Sequence, residues 1–129
     1  MLNIEDTICA PATVPGTGAI ATIRMSGSDS FSIADRVIRC KGGNISDTDG
    51  YRIRYGVALE DDGSDLDTVL VSVFRSPHSY TGEDSVEISC HSSKYIVERL
   101  LQRLVESGAR AACPGEFTQR AFVNGKMDL

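Results

Sequence analysis

The chain has no CxxC pair, no HxH or HExxH, no GxGxxG and no phosphate loop ending in GK[ST]. Those gaps remove the compact signatures of zinc sites, dinucleotide folds and P-loop nucleotide hydrolysis. No apolar run approaches the roughly 18 residues of a membrane span. Clustered Lys and Arg are missing too, and the net charge is −5. A domain of that balance does not hold nucleic acid by itself. The opening MLNIEDTICA carries acids where a secretory signal carries base, so no targeting segment is expected. Cys9, Cys40, Cys90 and Cys113 are therefore expected as reduced thiols of a cytoplasmic protein.

What is present is an ordinary globular composition over 129 residues, 41% apolar and 24% charged, enough for one domain spanning 1–129. A short strand is expected at 8–13, followed by the turn VPGTG and a second strand in AIATIRMS. Ser28 or Asp29 can cap a helix running through Arg39, with Phe31, Ala34, Val37 and Ile38 on its apolar stripe. YRIRYGVAL, alternating at Ile53, Tyr55 and Val57, and DTVLVSVF predict a hairpin. DSVEISCH predicts a strand with Val86, Ile88 and Cys90 on one face and Glu87 and Ser89 on the other. Ser92 or Ser93 caps the clearest helix, where Ile96, Val97, Leu100, Leu101, Leu104 and Val105 keep helical spacing until Gly108. A short strand near 109–112 and a helical turn with a loop in PGEFTQRAFVNGKMDL complete the chain. This order predicts an α+β, two-layer domain with a mixed or mostly antiparallel sheet and packed helices.

The stretch SPHSYTGEDSVEISCH, residues 76–91, concentrates the chemistry. A loop presents adjacent carboxylates, Glu83 and Asp84, at the mouth of a strand that ends in Cys90 and His91. Four readings compete: a metal site with His78 and His91, a Cys90 nucleophile, a carboxylate that grips a ligand, and a polar turn. Adjacent strand residues point to opposite faces, so Cys90 and His91 are poorly placed to share a proton. Arg24 interrupts the apolar run AIATIRM, where a buried guanidinium needs an anion unless the strand faces solvent.

Together, DTICAPATVPGTGAIATIRMSG, SPHSYTGEDSVEISCH and PGEFTQRAFVNGKMDL resemble the N-terminal domain of the MnmE/TrmE tRNA-modification GTPases, over residues 6–129. The resemblance implies a fold similar to the folate-binding domain of glycine-cleavage aminomethyltransferases. It further implies a tetrahydrofolate derivative, formyl or methylene, as cofactor, and a homodimer formed through this domain. Full-length members continue into helical and GTPase domains that use GTP, potassium and magnesium. With the flavoprotein MnmG (GidA) they modify the wobble uridine of certain tRNAs at its fifth carbon. No GTP hydrolysis is expected of these 129 residues alone.

The resemblance places the folate contacts on Arg24, Glu83 and Lys126. A carboxylate can accept the two adjacent N–H donors of a pterin edge, the role this implies for Glu83. Arg24 and Lys126 would then meet the carboxylates of the folate tail. Two departures from the family pattern stand out: Thr17 replaces a common Arg in the first turn, and Ser92-Ser93 replace a common Gly-Gly. They leave open an alternative in which the domain is a dimerisation scaffold with a decayed pocket.

Overall fold

A computed structural model describes residues 5–12 and 18–126; the turn that carries Thr17 and the last three residues lie outside them. Strands β1 (Ile8–Pro11) and β2 (Ile20–Ser26) lead into helix α1 (Ser30–Val37) and strand β3 (Ile38–Cys40). The hairpin β4 (Arg52–Leu59) and β5 (Asp65–Phe74) follows, then β6 (Ser85–His91) and α2 (Lys94–Glu106). The short β7 (Arg110–Ala111) and α3 (Glu116–Val123) close the described chain. One seven-stranded sheet runs in the order β3-β4-β5-β6-β2-β1-β7. Every neighbouring pair is antiparallel except β1 and β7, so the sheet is mixed and the α+β expectation holds.

Strand alternation decides which side is buried. Ile23 and Met25, Val69, Val71 and Val73, and Val86, Ile88 and Cys90 face one way and are almost completely buried. They pack with Phe31, Ile33 and Val37 of α1 and with Leu100 and Leu104 of α2, which form the second layer. At ~1.5–3 kcal/mol for each large apolar side chain removed from water, this cluster is the main source of stability.

Three local expectations need correction. Helix α1 stops at Val37, and Ile38 turns extended to pair with Ala58 on β4. β-Branched Ile38 fits the pleat as well as the helix, and here the pairing wins. The Ile53-Tyr55 stripe faces away from the helices, at 67% and 64% exposure, while Gly56 and Ala58 take the inner face. Only a small residue fits there, since a Cβ at Gly56 would lie 2.8 Å from Ile38 Cγ2 and 2.9 Å from Cys40 Sγ. The PGEFTQRAF segment forms two full helical turns rather than one.

The caps are specific. Ser93 accepts a hydrogen bond from the Ile96 N–H at 3.4 Å and starts α2. Asp29 holds the N-cap position of α1 without a side-chain bond; its own N–H donates to Thr7 Oγ1 at 3.0 Å. Gly27 lets those two segments cross, because an added Cβ would lie 2.6 Å from Thr7 Cα.

Candidate functional site

On the outer side of the sheet, the described residues place Tyr80 of the loop 75–84 and Phe117 of α3 over Arg24, while Ile20, Ile53 and Tyr55 stand exposed. Register puts Arg24 of β2 directly opposite Glu87 of β6 on this outer face. Their side chains form an ion pair at 3.7 Å, each about one-third exposed. The Arg24 guanidinium lies 5.1 Å from the ring centre of Tyr80 and 5.7 Å from that of Phe117. Tyr80 comes from the loop, and its hydroxyl lies 3.1 Å from Thr118 Oγ1 on α3. Arg24 Nε is buried and meets no acceptor among the described residues. A charged donor in that condition is costly unless a bound group accepts from it.

Lys126 also borders Tyr80. It lines a hollow of about 300 Å³ with Tyr51, Phe74, His78 and Tyr80. Close approach is possible because Gly82 has no side chain: a Cβ there would sit 3.3 Å from Lys126 Cγ and 3.0 Å from Asn124 Cβ, at a left-handed φ of +83°. Tyr80 is thus the common neighbour of the two cations: its ring lies against Arg24, and it borders the hollow that Lys126 lines.

Glu83 has different company. Its Oε1 accepts from Ser26 Oγ at 2.8 Å, and both carboxylate oxygens accept from Arg120 Nη1 at 3.3 and 3.2 Å. Glu83 also lines a separate hollow with Glu5 and Asp84, where no basic side chain is found among the described residues. Both oxygens are engaged inside the protein, and the adjoining space is acidic. The carboxylate that stands with Arg24 is Glu87, a residue the sequence reading assigns to the outer face but not to the site. Asp84 serves the loop itself: Oδ1 accepts from the Ser76 N–H at 2.8 Å, and its carbonyl accepts from Gly27 and Ser30.

Arg120 belongs to a buried charge cluster. It is fully enclosed and donates to the Asp6 carboxylate, to the Asp6 carbonyl and to Glu83, with Glu116 at 3.6 Å. Arg110 bridges Asp6 at 2.6 Å and Glu116 at 2.5 Å. Hydrogen bonds from Arg110 are the main force holding the Asp6 and Glu116 carboxyls below the usual range, against the opposing pull of burial. Their folded values are depressed, so the stabilisation is complete above the ordinary carboxylate range near pH ~4 and is lost as pH falls through the lowered values. Denaturant unfolding should therefore give constant stability from about pH 5 upward and a progressive loss below about pH 4. Stability that rises on acidification through that window would contradict this assignment.

The competing readings find little support. Among the described residues no group of three or more His, Cys, Asp or Glu side chains could hold a metal ion. His91 is instead paired with Asp67, through Nδ1 at 2.8 Å and its backbone N–H at 2.9 Å. Cys90 packs in the core, where burial pushes its thiol up to about 11, and Cys9 does the same. A thiol so placed stays protonated and is a poor nucleophile. All four cysteines are free. No helix among the described residues is long and apolar enough to cross a membrane.

Residues 7–126 match the family described as GTP-binding protein TrmE N-terminus. The chain belongs to that family. It is similar to the tRNA modification GTPase MnmE of Parabacteroides distasonis, 54% identical over 95% of this chain and 27% of the relative. The proteins of the same description from Bacteroides thetaiotaomicron and Moorella thermoacetica are 51% and 48% identical, over 97% and 98% of this chain. The TrmE N-terminal domain described here thus spans about a quarter of the length of these relatives, 27–28%.

Proposed function

We propose that this chain is the folate-binding and dimerising domain of a tRNA-modification GTPase. In the whole protein the reading includes GTP hydrolysis in other domains and wobble-uridine modification together with a flavoprotein partner. The observation that carries the ligand reading is the Arg24–Glu87 pair on the outer sheet face, with two aromatic rings against the Arg24 guanidinium and a buried Nε that lacks an acceptor among the described residues. The donor set fits a reduced folate. Glu87 supplies carboxylate acceptors for a pterin edge, Arg24 supplies a directed donor, and Lys126 supplies a cation for the tail. Tyr80 and Phe117 offer ring surface. Bound folate would supply a one-carbon unit; the residues here bind and orient it.

Glu83, the contact implied by the resemblance, enters this proposal as a supporting residue beneath the site, because its oxygens are engaged by Arg120 and Ser26. The dimer reading draws on the apolar side chains left bare on the same sheet face. Ile20, Ile53 and Tyr55 are each more than 60% exposed, and Leu70, opposite Tyr55 in register, is 46% exposed. A second copy of this chain would cover them by an isologous contact.

Calorimetric titration with a stable reduced folate, and sedimentation of the wild type beside Leu70→Lys, test the two halves. Saturable binding, and a wild-type dimer that Leu70→Lys dissociates, are the expected results. An absence of binding by a folded dimer would favour the scaffold reading with a decayed pocket. A wild-type monomer at tens of micromolar would remove the dimer.

A further inference from the structure

We propose that Glu83 is a positioning residue that assembles the aromatic clamp around Arg24 without touching the ligand. This inference rests on the reading of Arg24 and Glu87 as the folate-binding pair. The clamp has three parts from three separate elements: Arg24 on β2, Tyr80 on the loop, Phe117 on α3. The Glu83 carboxylate touches each of those elements within three residues of the part it carries. It accepts from Ser26, two residues along β2 from Arg24 and on the same face. It accepts from Arg120, one helical turn beyond Phe117. It lies three residues after Tyr80 on the loop itself. One carboxylate therefore fixes strand, helix and loop relative to each other.

The fastening around it is polar and buried. Ser26 Oγ also lies 2.6 Å from Thr81 Oγ1, and Ser85 Oγ donates to Ser26 at 3.1 Å. Thr81 and Ser26 are both almost wholly buried. Asn124 Nδ2 donates to the Thr81 carbonyl at 2.8 Å and ties the end of α3 to the same loop. Arg120 is enclosed and charged, so its guanidinium must keep an anion beside it. Glu83 meets that demand from the loop side, while Asp6 meets it from the N-terminal side. Charge-assisted bonds of this kind are directional as well as strong, which suits them to set a loop position rather than merely tether it.

A spectroscopic experiment separates positioning from contact. Ring currents from Tyr80 and Phe117 should shift the Arg24 side-chain proton resonances upfield in the ligand-free protein. In Glu83→Gln the clamp should loosen, so those resonances move toward their unfolded-chain values. Affinity for a reduced folate should weaken about tenfold or more although Glu87 is intact. In Glu87→Gln the ring-current shifts should persist while affinity falls. Ser26→Ala, a milder change that removes one bond to Glu83, should loosen the clamp in part, and it serves if Glu83→Gln does not fold.

Full ring-current shifts in Glu83→Gln together with weakened binding would make Glu83 a direct contact and overturn the proposal. Lost shifts with wild-type affinity would overturn it equally, as would no change in either. Should the wild type bind no reduced folate, the functional reading fails on its own. The ring-current comparison then still decides whether Glu83 holds the clamp.

Discussion

Replacing Arg120 with Met should destabilise the domain by about 3–5 kcal/mol, the cost of leaving buried carboxylates without their shared cation. Met keeps most of the volume and apolar length of the side chain, so a cavity contributes little. What is lost is the charge that Glu83 and Asp6 both face from the enclosed interior of α3. Arg110 still serves Asp6 and Glu116, at 2.6 and 2.5 Å, but does not serve Glu83. Among the described residues Glu83 would keep Ser26 alone and would swing outward, taking the loop with it. For a domain whose total stability is about 5–15 kcal/mol, that is a large fraction. Chemical unfolding of the variant beside the wild type measures it. A loss below about 1 kcal/mol would show that the cluster relaxes easily and is a solvated surface network.

Replacing Glu87 with Gln should act on affinity instead. The amide keeps the shape of the carboxylate but places one donor where an acceptor is needed. With a pterin edge offering donors, the loss should be about 1.5–3 kcal/mol, roughly tenfold to more than a hundredfold in Kd. Stability should change little, because the pair with Arg24 is long at 3.7 Å and about one-third exposed. Asp84→Asn supplies the contrast: Asp84 holds the Ser76 N–H inside the loop, so its loss should lower stability more than affinity. Equal affinity of wild type and Glu87→Gln would remove Glu87 from the site.

These two residues also show what could be read in the sequence. Arg24 was legible because a guanidinium inside an apolar run demands an explanation, and the structure pairs it with a carboxylate beside two rings. Glu87 was half legible: its alternation with Val86 and Ile88 assigns it to the outer face, but only cross-strand register puts it opposite Arg24. The adjacent acids Glu83 and Asp84 are more conspicuous, yet both are occupied within the fold. Arg120 and Glu116 carry no local signal of burial. Asp6, which binds Arg120 and Arg110, is more than a hundred residues away from both, and nothing in PGEFTQRAF alone indicates that the N-terminal segment passes over it.

The fold itself divides in the same way. The α2 stripe, its Ser93 cap and the inner face of β6 follow from local periodicity and capping chemistry, and the structure has them except at Val105, which the end of α2 leaves 45% exposed. The end of α1 does not, because Ile38 suits either state and β4 decides between them. The outward turn of Ile53 and Tyr55 escapes a pattern argument for a related reason: Gly56 and Ala58 are small enough for the crowded inner face, and the larger residues of the strand take the outer one.

The most direct test of the central claim is chemical-shift mapping of the isotope-labelled domain titrated with a stable reduced folate. Saturable shifts should gather at Arg24, Tyr80, Gly82, Glu87, Phe117 and Lys126 and leave the outer surface of α2 unchanged. Shifts confined to Glu5, Ser28 and Asp84, around the acidic hollow on the far side of Glu83, or no shifts at all, would contradict the account.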